Sequence, residues 1–199
     1  MGRIAGVTAE ETRERLLDAA ARVFELKGYD GATVSLIAQE AGVTTGAIYA
    51  HYGSKAELLA AAVHAHGERA TASLFPPGRR ADAPTVLATL GRRLASRDPH
   101  ESALLVEALL AARRDPELAD VLASAIAGRE SVMTALVAHA QDASELRADV
   151  SAAAAARFTL MLGLGSAIAA SLGLPAVDRA EWSALIQRVV DAFTPEDNR

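Results

Sequence analysis

Apolar positions recur at intervals of three and four almost throughout the chain, and no useful length alternates at period two. That pattern predicts helices and no sheet. The first helix opens at Thr8, with Glu11 three residues on as a capping box. Its apolar stripe is Leu16, Ala20, Val23 and Phe24, and Gly28 ends it in the C′ position. A helix from Ser54 to about Ser73 opens on a second such box, Ser54 with Glu57. Phe75 to Pro84, "FPPGRRADAP", holds three prolines and a glycine and reads as a linker.

Beyond it, Val86, Leu87, Leu90 and Leu94 mark one helix and Leu104, Leu105, Ala108 and Leu109 the next. Asp115 and Pro116 read as N-cap and first residue of a long helix, with Leu118, Val121, Leu122, Ala125, Met133, Leu136 and Val137 on its stripe. An alanine-rich helix spans Asp149 to about Leu172 and ends before Pro175. The last helix is capped by Asp178 with Glu181 at N3, and Val177 and Trp182 form a hydrophobic staple. Its stripe is Trp182, Leu185, Ile186, Val189, Val190 and Phe193, and Pro195 stops it. The expectation is an all-α chain of about nine helices, divided into residues 1–55 and a larger helical body, 56–199.

One stretch breaks the rhythm. "TVSLIAQEAGVTTGAIYAHYGSKAEL", Thr33 to Leu58, stops at Gly42, restarts, and stops again at Gly53. Two helices so short bury little, but the pieces fit a helix-turn-helix over about residues 33–52. Thr33 caps the first short helix, with Leu36, Ile37 and Ala41 inward. Gly42 supplies the left-handed residue of a tight turn. Val43 plugs the gap, Thr44 caps the second helix, Ile48 anchors it, and small Ala38 permits a steep crossing. The plainer alternative is a helical hairpin inside a bundle.

A second helix of this kind needs only one face and its first turns to enter a major groove about 12 Å wide. Thr44, Thr45, Gly46 and Ala47 stand at its N-terminal end, where free N–H groups and the helix dipole suit a phosphate. Thr45 reaches a base edge or packs its methyl on thymine, and Gly46 and Ala47 allow close approach. Tyr49 and Tyr52 would stack on the sugar-phosphate wall, and His51 and Lys55 sit where phosphate contacts fall. A core aromatic tying the motif to the first helix is the other reading of Tyr49.

Charge does not lead to the same place. The net charge is −5, and residues 1–55 carry six basic against seven acidic groups, so the usual electrostatic footprint of a DNA binder is missing. Geometry alone carries the reading. Apolar residues make up 51% of the chain and aromatic ones 4%, which implies an aliphatic core. With no cysteine, disulfides, thiol catalysis and Cys-based zinc sites are excluded. "MGRIAGVTAEETRE" lacks a signal peptide's apolar segment, so a soluble, cytoplasmic protein is expected.

At this point "AAARVFELKGYDGATV", "IAQEAGV" and "AIYAHYGSKAELL", in order and without a gap, resemble the DNA-binding domain of TetR/AcrR-type transcriptional regulators. The resemblance is specific over about the first 65 residues; "RRDPEL" and "ELRADV" echo it weakly later. It implies a homodimeric repressor with a three-helix DNA-binding domain at 1–55 and a body at 56–199 for effector binding and dimerisation. The family's phosphate contacts would fall on Thr33, Tyr49, His51 and Lys55, and its base-facing positions on Thr44, Thr45, Gly46 and Ala47. One departure is chemical: many relatives carry Lys, Arg or Gln early in the recognition helix, whereas Thr-Thr-Gly-Ala cannot read guanine bidentately. Modest base discrimination is expected, with Arg3 of the N-terminal arm in a minor groove.

In the family's layout, Leu105, Leu109, Met133, Phe158 and Met161 would line an apolar effector pocket, though core packing explains each as well. Leu164, Ile168, Trp182, Ile186, Val189 and Val190 would face a second copy. Phe158 to Val177 is long enough to span a membrane, but Pro175 lies inside the window and no aromatic belt flanks it. A membrane-associated helical protein is therefore one alternative and a small helical enzyme the other. For the latter, "GLGSAI" lacks a preceding strand and a third glycine, and no HExxH or GxSxG occurs. No cofactor, metal or catalytic residue is expected. The effector, the operator and the choice between repression and activation are not written in the pattern.

Overall fold

The computed structural model describes residues 8–73, 81–97 and 99–195. Among them are nine α-helices: α1 (Ala9–Gly31), α2 (Val34–Ala41), α3 (Thr45–Tyr49), α4 (Lys55–Ala72), α5 (Ala83–Arg93), α6 (Pro99–Ala112), α7 (Pro116–Asp142), α8 (Ala152–Ser171) and α9 (Arg179–Phe193). A 3-10 turn, Leu94–Ser96, follows α5. The Arg3 arm and most of the expected linker lie outside the described residues. The described chain divides into two compact units, one of residues up to 68 with 103–123, the other of 69–102 with 124–199.

In the first unit the capping box of α1 forms as written: Thr8 Oγ1 accepts from the Glu11 N–H at 3.2 Å, and Glu11 Oε2 accepts from the Thr8 N–H at 2.6 Å. Gly28, at φ +68° and ψ 169°, takes a conformation essentially closed to other residues, and one further turn carries α1 to Gly31. Leu17, Phe24, Ile37, Ile48, Leu58, Leu59, Leu104 and Leu118 form its fully buried centre. Each such side chain contributes roughly 1.5–3 kcal/mol on burial. The compact unit thus runs past residue 55: the apolar stripe of α4 and the facing parts of α6 and α7 complete the core on which α1, α2 and α3 sit.

In the second unit α5 packs on α9, where Ala88, Ile186 and Val190 are buried together. The approach is close at Gly91, where an added Cβ would lie 2.6 Å from Ile186 Cγ2. The Trp182 indole N–H donates to the Gly91 carbonyl at 2.9 Å. Ile186 and Val190, expected at a dimer interface, are therefore spent inside the chain. The expected staple is not made either, since Trp182 turns to α5 and Val177 is exposed. Val137, Ala140 and Leu146 gather a second cluster with Leu87, Ala152, Ala155 and Phe193.

The helix expected from Asp149 begins at Ala152: Ser151 caps it, its side chain accepting from the Ala154 N–H, while Asp149 pairs with Arg147. Of α8's own residues only Ala156 and Ala167 are buried. Phe158, Met161, Ile168 and Leu172 are exposed.

Candidate nucleic-acid interface

Three local devices build the helix-turn-helix. Thr33 caps α2, its side chain accepting from the Leu36 N–H at 3.2 Å. Gly42 ends α2 in the left-handed region (φ +68°, ψ 33°), and the Val43 N–H returns to the Ala38 carbonyl at 3.0 Å, closing a Schellman turn. Thr44 then caps α3, accepting from the Ala47 N–H at 3.1 Å. Arg15 of α1 donates to the Ala41 carbonyl at 3.0 Å, and Arg22 pairs with Glu40 at 3.1 Å, so the C-terminal end of the turn's first helix is held to α1 at two points. Ile37, Ala38, Ala41 and Ile48 point inward as expected, with Val43 packed against them. Leu36, expected inward, is exposed, because Ile37 and Ala41 already fill the inner face of so short a helix.

Thr33, Thr44, Thr45, Gly46, Ala47, Tyr49 and His51 are all exposed to solvent. Tyr49 is 55% exposed beside Ile48, which is 1% exposed, so α3 has one anchoring and one open face. Tyr52 behaves differently. At 9% exposure its ring belongs to the core of the first unit and not to a DNA-facing wall. Lys55, at the start of α4, is half-buried and turned toward α1, donating to the carbonyls of Tyr29 and Ala32.

Tyr29 lies at the centre of a set of contacts that the sequence pattern does not mark. Its N–H donates to Glu107 Oε1 at 2.6 Å and its hydroxyl to Asp115 Oδ2 at 2.8 Å. Burial, then the hydrogen bond to Asp115, pushes the phenol well above its ordinary value, so it stays a donor. Asp115 also caps α7, as expected, accepting from the Leu118 N–H at 3.1 Å. A buried tyrosine directly after the strained Gly28 was the one available signal.

The expected effector residues fall in different places. Leu105 and Leu109 belong to the first unit and are half-buried; Met133, in the second, is half-buried too. Phe158 and Met161 are 45% and 61% exposed, so within this chain they line no enclosed space. The second unit's cleft, about 540 Å³, is lined instead by Asp82, Pro84, Thr85, Ala88, Arg92, Glu145 and Gln187. Of the residues expected to meet a second copy, Ile168 is exposed and Leu164, Trp182 and Val189 are half-buried.

Residues 16–62 match the family model of the bacterial regulatory proteins, tetR family. The HTH-type transcriptional regulator SrpR of Pseudomonas putida is 49% identical over 61 residues, 31% of this chain and 29% of that protein. The chain therefore matches less than a third of that relative's length. Among solved structures, a putative TetR-family transcriptional regulator from Rhodococcus sp. superposes with a TM-score of 0.75 at 21% identity, covering 94% of this chain and 100% of that one. FadR from Bacillus subtilis, solved in complex with stearoyl-CoA, gives 0.64 at 19% identity, covering 89% and 97%. At these identities the structural matches speak for the fold.

Proposed function

We propose that this chain, which belongs to the tetR family of bacterial regulatory proteins, is a repressor: a homodimer that binds a near-palindromic operator and releases it when a small molecule occupies the helical body. The observation that carries the reading is the open face of α3. Caps at Thr33 and Thr44 and the turn at Gly42 fix a short helix whose Thr44–Tyr49 edge, Ile48 apart, is solvent-facing and carries no charged side chain.

In this reading Thr33 and the α3 N-terminus meet phosphates, Thr45, Gly46 and Ala47 face base edges, and Tyr49 and His51 flank them. With no Arg or Lys on α3, discrimination rests on thymine methyl contacts and on DNA shape. Dimerisation is supported by α8 and its C-cap: Phe158, Met161, Gly165 and Ile168, with Leu172 at the cap, follow a three-four spacing, the pattern of a helix seam, and all are exposed. By length and hydropathy α7 and α8 would each also suit a membrane. A second copy covering α8 accounts for that apolar face in a DNA-binding protein. Two copies would set their α3 helices about 34–36 Å apart, one turn of DNA.

Effector release is supported by the stearoyl-CoA held by FadR, a protein of the same fold. A ligand derepresses only as far as it prefers the non-binding conformation. The full-length chain, incubated with fragmented genomic DNA, should enrich a short duplex whose binding weakens as salt rises. Enrichment of nothing would reject the proposal.

A further inference from the structure

The side chain of Lys55 has partners that a phosphate contact does not need. Its Nζ donates to the Tyr29 carbonyl at 2.7 Å and to the Ala32 carbonyl at 3.3 Å, and it lies 4.1 Å from the centroid of the Tyr29 ring. An ammonium has three N–H donors; two are on carbonyls and the aromatic face occupies a third side. The two carbonyls belong to the end of α1, whose last turn carries no basic residue of its own. Unpaired carbonyls and the helix dipole concentrate negative charge there. Lys55 supplies the missing cation from the far side of the helix-turn-helix.

The anchor is rigid. Besides its bonds to Glu107 and Asp115, Tyr29 stacks on Phe24 with ring centroids 6.1 Å apart. From Tyr29 and Ala32 the chain passes through α2, the Gly42 turn and α3, and returns at Lys55, the first residue of α4. One side chain thus bridges the entrance and the exit of the DNA-reading segment.

We propose that Lys55 is a positioning residue that, with Tyr29, staples the two ends of the helix-turn-helix together, its charge serving the set of α3 and neutralising no DNA phosphate. The inference rests on the DNA-binding reading above, but it assigns Lys55 a role different from the one its place in the motif suggests. Each phosphate neutralised by a side chain steepens the plot of log affinity against log salt by about 0.9. A staple leaves that slope alone and acts on specificity, because a loosened α3 loses base-edge contacts before it loses general attraction to the duplex.

The test compares the wild-type full chain with Lys55→Met on a duplex selected by the wild type and on a random duplex, over a series of salt concentrations. Expected are parallel salt lines, a fall of about tenfold or more in the ratio of selected to random affinity, and a lower melting temperature without DNA. A slope shallower by about 0.9 overturns the proposal whatever the melting temperature. So does an unchanged affinity ratio, which would leave Lys55 a merely structural residue, or an unchanged melting temperature. Should Lys55→Met not fold, Lys55→Gln, which keeps an N–H donor without the charge, carries the same three readouts. If the wild type selects no duplex at all, the DNA-binding reading fails; the melting comparison still judges the staple.

Discussion

Tyr49 and Tyr52 sit three residues apart at the end of α3, yet one is open to solvent and the other is core. Tyr49 is the last residue of α3, whereas Tyr52 lies past the Ala50 cap, where its N–H returns to the Ile48 carbonyl at 2.9 Å; Tyr52 therefore joins Ile48 in the core while Thr45 and Tyr49 keep the open face. Under the proposed function, Tyr49→Ala should cost about 1–3 kcal/mol in operator affinity and leave the melting temperature within a degree or so. A titration of labelled operator decides it; equal affinity would remove Tyr49 from the DNA face. At this scale the sequence was clear where a cap or a turn chemistry is local, as at Thr8, Thr33, Gly42, Thr44 and Asp115. It was silent on Lys55, because a phosphate and a helix-end carbonyl make the same demand of an ammonium, and only the fold says which is near.

Among the elements, α7 shows how a cap joins two parts of one core. The Leu118 N–H, then the Tyr29 hydroxyl, hold the Asp115 carboxyl below the usual carboxylate range. A depressed native value means that this contribution is complete above the ordinary value of about 3.9 and is lost as pH falls through the native one. Melting temperature should therefore decline on the acid side below about pH 5, and Asp115→Asn, which keeps the cap, should flatten that decline. Identical acid profiles in the two proteins would show that the carboxylate is not the cause. Element order and approximate bounds were legible from apolar spacing, while two local assignments at α8 and α9 were not. The start of α8 falls at Ala152 and not at the expected Asp149, because Arg147 pairs with Asp149 and the Ser151 side chain caps the helix. The α9 stripe looked like one face, but Gly91 lets α5 come close enough to take Ile186, Val190 and Trp182.

For the whole molecule, the division of apolar positions between core and partner was the least legible feature, since a residue buried by its own chain and one buried by a second copy look alike in a pattern. Phe158 and Met161, expected around an effector, and Ile168, expected at an interface, turn out to share one exposed line on α8. Under the proposed function, Ile168→Glu should therefore shift the sedimentation profile from dimer to monomer at micromolar protein and weaken operator binding, with the first unit intact. A dimer of unchanged strength would move the interface elsewhere. The central claim is that the Thr44–Tyr49 edge of two copies reads duplex DNA, and selection of the full-length chain against random duplexes tests it most directly. The account predicts a short sequence with twofold symmetry, its half-sites one helical turn apart. Recovery of unrelated sequences, or of a single half-site with no symmetric mate, would contradict it.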